Sequence, residues 1–584
     1  MKDIKVKLLA LTIMIAISPI ASSAPNLIFT NGKIFTANKD HEFQESLAIE
    51  NGKITFIGSN EDVGKLSNKN SRIVDLKGKV VMPGLIDSHS HPIYGGLGLL
   101  KAHVSPADQN TDFDYLKKVT KEWREDGSAL TGDITVVVGL DASYWAKIDN
   151  FNQLFNSGYW KDKPLFFMGS DQHTGWANDA LRQKAGLNKA FVDNQPKSVQ
   201  YTIGKNKDGT PNGLVADAST DFILKVIPKE TDDMYLKAGE AAMAYYSQLG
   251  MTSLVDAAVN TLPLRPLFGS IQPGSKEYGA LNVYRRLAEN GKLTMNISAF
   301  YLINPNWRGS DLDYIDKMKE MFGSIENLQI QGIKIIDDGV PMFPIQTAAM
   351  FLPYQKTGNM IAPSYSQPRL NELVTAANKK GYSTHIHAVG NKAVNSALNA
   401  IEFSHKTLGS DIPIDSIAHA QFIRPSDISR FKALNIIPSM QMLWGRGDFR
   451  TINYVKPYVG DKTFNEFTPV KSLLDVGTTI AGGSDWPVES ASPWQAAYEA
   501  ITRKGDYGVV NPEQIIDRKP VFYAYTINAA KMAGLDKRVG SLEKGKQADF
   551  IIVDRDVFKV SPEQLKETRV LDTYFKGNLV YSAE

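Results

Sequence analysis

The sequence of 584 residues predicts an α/β protein: a (β/α)8 TIM barrel with a large insertion after its first strand, joined to a small β-sandwich built from both chain termini. Three observations carry this reading. Short apolar runs at 85–91, 253–257, 295–303, 330–336, 383–387, 415–418, 436–439 and 479–483 alternate with helical stretches such as 368–380, 392–405 and 425–434. Eight strands in that alternation suggest a barrel. The two chain ends share one β-rich, glycine-punctuated character, and the stretch between the first two strands is too long for a loop, so about 101–231 is expected to fold as an insertion.

The first element is an address. Lys2, Lys5 and Lys7 precede an apolar run over 8–20, and Ala21-Ser22-Ser23-Ala24 supplies small residues for cleavage, the layout of a signal peptide over 1–23. The run is 13 residues long and interrupted by Pro19, short of the ~20 that span a bilayer. An uncleaved anchor is the alternative. The mature protein is expected to be exported, to a bacterial periplasm or beyond, with no membrane attachment after cleavage. With the leader gone, the 65 basic and 63 acidic residues become 62 of each. Such neutrality argues against a nucleic-acid partner. The complete lack of cysteine excludes disulfides, thiolate metal sites and a Cys nucleophile.

The composite sandwich is expected over 24–82 and 536–584 and the barrel over 83–535. Asn31-Gly32, Asn51-Gly52 and Gly577-Asn578 read as hairpin turns between short strands at the two ends.

Candidate chemistry collects at predicted strand ends, where barrel active sites are built. Of nine histidines, His89 and His91 end the first strand, and residues i and i+2 of a strand face the same side. Two neutral imidazoles so placed can chelate one cation. His385 and His387 form a second such pair on the fifth strand, with His385 deeper and expected to be a hydrogen-bonded core residue; His419 ends the sixth strand. Asp485 follows two glycines just past the eighth strand; it reads either as a helix cap or, opposite a metal, as a ligand and general base. Lys334 interrupts an otherwise apolar fourth strand. An ammonium buried there must be ion-paired, with Asp337 or Asp338, or be neutral and open to carboxylation. No His-Glu-x-x-His run, Gly-x-Ser-x-Gly elbow or Walker A loop occurs.

These residues, with the stretches His173-Thr174-Gly175-Trp176-Ala177-Asn178, His387-Ala388-Val389-Gly390-Asn391 and Gly483-Ser484-Asp485-Trp486-Pro487, resemble the amidohydrolase superfamily, in its YtcJ-like and N-substituted formamide deformylase-like branch. The resemblance spans the mature chain. It implies two divalent metal ions, zinc expected, with His89 and His91 on the buried one, His387 and His419 on the more exposed one, and a carbamate on Lys334 bridging them. A hydroxide would lie between the metals, and Asp485 would ligate the first metal and shuttle the proton. The implied reaction is hydrolysis of a non-peptide amide-type C–N bond in a small-molecule substrate, with His173, Trp176 and Asn178 contacting it. Esters or phosphotriesters, or an exported binding protein without catalysis, are the alternatives, and a homodimer is compatible with the resemblance. Ala418, Asn391 and Met442 depart from the family pattern, where Glu, Asp and Pro are common.

Overall fold

The computed structural model describes residues 26–104, 112–267, 271–409 and 412–583; the expected leader, 1–23, lies outside them. Its centre is an eight-stranded sheet in sequential order. The strands are β1 (Leu85–Ser90), β2 (Met251–Asp256), β3 (Asn296–Leu302), β4 (Leu328–Ile336), β5 (Ser383–Ala388), β6 (Ser416–His419), β7 (Ser439–Met440) and β8 (Ala481–Gly482). All neighbouring pairs run parallel. These are the eight apolar runs of the sequence. β7 is shorter than its run because Pro438 has no N–H to donate, although its carbonyl accepts from Ala481 at 3.0 Å.

The sheet nearly closes on itself. Past the end of β8, the Asp485 N–H donates to the His89 carbonyl, and the His91 N–H to that of Trp486, each at 2.8 Å. Close strand approach explains Gly332 on β4, where a Cβ would lie 1.9 Å from the Ser383 carbonyl oxygen. The helices covering the barrel include Asp232–Gln248, Gln367–Lys379, Asn391–Leu408 and Pro425–Ala433. Thr231 caps the first of these by accepting from the Met234 N–H at 3.1 Å.

Between β1 and β2 the chain builds a separate six-stranded sheet. Its strands run from Leu130–Thr131 to Pro211–Ala216, and Trp145, Phe151, Phe155, Trp160, Phe167 and Trp176 pack into one buried aromatic cluster beside it. The two chain ends meet in a further six-stranded sheet that joins Lys33–Phe35 and Val80–Pro83 to Phe550–Val553, Val570–Phe575 and Asn578–Ser582. A four-stranded sheet from residues 27–75 packs against it, with Phe29 and Leu47 buried beside Phe550 and Ile552.

Two turn expectations need correction. Asn51-Gly52 does join an antiparallel pair, but Asn31-Gly32 carries the chain from one sheet into the other. The last hairpin turns at Lys576-Gly577, both with positive φ, one residue before the expected site. Among the described residues no helix is long and apolar enough to cross a membrane.

Candidate metal centre

The C-terminal ends of the barrel strands bring together His89, His91, Lys334, His387, His419 and Asp485 around a cavity of about 50 Å³. That volume suits ions rather than an organic cofactor. His89 and His91, two residues apart at the end of β1, place both Nε2 atoms 3.3 Å from Asp485 Oδ1. His419 Nδ1 lies 3.9 Å from the other carboxylate oxygen.

Asp485 is held there by its backbone. It adopts a positive φ of 59° and anchors to β1 through its own N–H. Buried Asp87 braces the same junction: it accepts from the Ser484 N–H at 2.9 Å, from the Ser484 hydroxyl, and from the His89 N–H at 3.1 Å. Burial pushes Asp87 up to about 6. Burial alone would also raise Asp485. Its hydrogen bond to His91 and its electrostatic attraction to the neighbouring His419, His91 and Lys334 outweigh that and hold it below the ordinary carboxylate value.

Hydrogen bonds commit one nitrogen of three histidines and leave the other for a metal. The Ser416 hydroxyl donates to the Thr384 carbonyl at 3.2 Å, so it accepts from His385 Nδ1 at 2.6 Å. His385 Nε2 then accepts the Nδ1 proton of His89 at 2.6 Å, which leaves the His89 Nε2 lone pair facing Asp485. His419 Nδ1 donates to Gln441 Oε1 at 2.9 Å, freeing its Nε2. His387 Nε2 lies 3.4 Å from the Gly339 carbonyl, freeing its Nδ1. Burial pushes all four of these rings well below the ordinary imidazole range, so they are neutral.

Lys334 is 2% exposed and its Nζ has no hydrogen-bond partner. Burial lowers it to about 7, with Asp485 opposing. Of the two alternatives, the ion pair with Asp337 or Asp338 does not form. β4 ends at Ile336, and both aspartates turn to backbone amides. Asp338 accepts from Ala349, Val389 and Gly390 at 2.8–2.9 Å, and Asp337 from Tyr365 at 3.2 Å. An orphaned buried amine beside neutral, oriented imidazoles and an ionised carboxylate fits a cation site and little else. The ligand atoms of His89, His419 and Asp485 all lie within 4.8 Å of one another.

The insertion reaches this cavity with Asp171, Gln172 and His173. Asp171 accepts the N–H groups of His173 and Thr174 at 3.0 and 2.9 Å, a turn that aims His173 inward. Asp217 Oδ1 holds His173 Nδ1 at 2.6 Å, and the His173 ring lies 5.4 Å from that of His387. Burial lowers His173, but Asp217, Asp171 and Asp485 raise it by more. Trp176 and Asn178 do not join it, which corrects their expected contact with substrate. Trp176 is fully buried in the insertion core and donates to the Asn212 carbonyl at 3.1 Å. Asn178 caps the helix Asp179–Ala185 and donates to the carbonyls of Phe155, Trp160 and Lys163.

The model described as "Amidohydrolase family" matches residues 72–581. The chain belongs to the amidohydrolase family. Its relatives include Protein LONG AFTER FAR-RED 3 of Arabidopsis thaliana, 28% identical over 97% of this chain and 93% of the relative. N-substituted formamide deformylase of Arthrobacter pascens is 23% identical over 95% and 98%. A solved metal-dependent hydrolase of Pyrococcus horikoshii shares the fold, with a TM-score of 0.68 and 24% identity over 92% of this chain and 99% of that one.

As an amidohydrolase, the protein has supporting residues that its sequence did not single out for these roles. His385 was expected only as a core residue; its register two residues below His387 could have suggested a partner for a neighbouring strand. Gln441 lies 22 residues from His419 and Asp217 lies 44 from His173, separations that carry no local signal. Of the three departures, Asn391 stays local, bonding Glu466 at 2.6 Å and Phe351 at 2.9 Å.

Proposed function

We propose that this amidohydrolase is an exported enzyme that hydrolyses a non-peptide amide-type C–N bond. One observation carries the reading: His89, His387, His419 and Asp485 line one small cavity together with a buried lysine whose Nζ has no hydrogen-bond partner, and the ligand atoms of His89, His419 and Asp485 lie within 4.8 Å of one another. His89, His91 and Asp485 would hold one divalent cation, and His387 and His419 a second. Zinc is the ion that this imidazole and carboxylate set favours. Such cations supply Lewis acidity, lowering the pKa of water and polarising a carbonyl.

The chain's own residues do the rest. Lys334, lowered to about 7 and so partly unprotonated at pH 7, can take up CO₂: its nitrogen bonds the carbon, a proton leaves to solvent, and the anionic carbamate would serve as a further ligand. Asp485, ionised and touching both β1 histidines, accepts the proton of the attacking water and returns it to the leaving nitrogen. His173, held by Asp217, is placed to donate a hydrogen bond to the substrate. The name of the Arthrobacter relative supports an amide substrate, and the basic, apolar and small-residue order of the leader supports export.

The test is metal content of purified protein alongside turnover of matched N-acyl amines, esters and phosphotriesters. Bound divalent metal and amide hydrolysis exceeding that of the esters are expected. Protein that takes up no divalent metal and hydrolyses none of them would overturn the proposal, and a faster ester would redirect it.

A further inference from the structure

Beside the metal cavity lies a far larger one of about 1030 Å³ that the hydrolytic step does not use. Val488 lines both, and a narrow space shares Gly98, His103 and Pro487 with the larger cavity and Tyr94 and Gln172 with the metal cavity. Its wall comes from residues 446–450 after β7, 486–490 after β8 and the helix Pro493–Thr502. It therefore opens on the same barrel face as the metal cavity. Its size is at the upper end of small-ligand pockets, which run to roughly 1,000 Å³.

The charges in this wall do not balance. Arg446 lies 3.5 Å from Asp448 and 3.4 Å from Glu489. Arg450 also bonds Glu489 and lies 3.4 Å from Asp141. Two guanidiniums are thus committed to three carboxylates. Lys566 sits 4.8 Å over the Tyr498 ring. Two further carboxylates remain, Asp506 exposed at the rim and Glu499 within the wall. Glu499 is only 8% exposed, its Oε2 has no hydrogen-bond partner, and it enters no ion pair among the described residues. Burial pushes it up to about 7, against the pull of Arg446. A buried carboxylate without a partner is costly, and one lining a cavity can be satisfied by what the cavity admits. Tyr245, stacked on Trp486 at 4.8 Å, adds an aromatic surface. Carboxylate with aromatic faces is the chemistry that recognises an organic cation.

We infer that this cavity seats a cationic group of the substrate against Glu499, while the scissile amide reaches past Val488 into the metal cavity. The second half of that statement rests on the proposed hydrolytic function; the cation site does not.

The experiment has two arms. In the first, metal-loaded full-length protein is titrated calorimetrically with benzyltrimethylammonium, which has no lone pair for a metal, and with benzyl alcohol and benzoate. The cation should bind at least about tenfold more tightly than either. Glu499→Gln should bring the cation to within about twofold of the alcohol, and the exposed Asp506→Asn should weaken it by about two- to fivefold. In the second arm, N-formyl-lysinamide and N-formyl-norleucinamide, which differ by one ammonium, are compared as substrates. The lysine compound should have at least about tenfold higher kcat/KM, and Glu499→Gln should erase most of that ratio.

Equal turnover of both amides with no Glu499-dependent cation binding overturns the cation site and leaves the hydrolase intact. Cation binding through Glu499 with neither amide hydrolysed keeps the site and removes the hydrolytic reading. Preferred binding of benzoate reverses the assigned charge and overturns the inference.

Discussion

The two adjoining cavities of this molecule are built by opposite rules. In the small one, one nitrogen of His89, His387 and His419 is already bonded, and Asp485 is pinned by its own backbone. Lys334, in its wall, is left without a hydrogen-bond partner. In the large one, side chains from three loops and a helix face one another with more carboxylates than cations. The first arrangement fixes lone pairs in direction, as chemistry on a metal requires. The second fixes only a sign of charge and a volume, as selection among substrates requires.

The largest expected effect separates the cavities outright. Asp485→Asn keeps shape but removes the base, so kcat should fall by about 10²–10⁴-fold. Binding of benzyltrimethylammonium, measured by calorimetry, should change by less than about twofold. A parallel loss of both would mean that the cavities act as one site.

A second change tests how the small cavity is held. His385→Leu removes the acceptor for the His89 Nδ1 proton, which leaves His89 free to turn or change tautomer. Metal affinity, read by competition with a chelator, should weaken by about 10–100-fold. Ser416→Ala, one bond further out, should cost less. Unchanged affinity in His385→Leu would show that packing alone orients the ring.

This difference between the cavities also explains what the sequence disclosed. The eight strands were legible because buried barrel strands are apolar runs of strand length, and the residues lining the small cavity were legible because they fall at or near the ends of those strands. Lys334 stood out since a charge inside such a run needs either a partner or a neutral state. Partners such as Gln441 and Asp217 were not legible, because contact across strands and insertions depends on register rather than spacing. The large cavity was not legible at all: its wall joins residues 141, 448, 489 and 499, which no local pattern connects. Trp176 and Asn178 misled for a related reason. Their stretch resembles a family motif, yet His173 sits in the turn before the strand Thr174–Ala177 while Trp176 lies on that strand and packs into the insertion core, and only the first meets the cavity.

The smallest expected effect falls on that stretch. Asn178 is fully buried, accepts from the Leu165 and Leu181 N–H groups at 3.0 and 3.1 Å, and donates to three carbonyls. Asn178→Ala removes a helix cap and strands buried backbone groups, which should destabilise the insertion by about 1–3 kcal/mol. Denaturant unfolding should register that loss, while kcat and KM well below the transition stay within about twofold. His173 is held by Asp171 and Asp217, neither of which bonds Asn178, so the cavity should not feel the change. A selective rise in KM would instead return Asn178 to the substrate, and with it the contact that the motif implied.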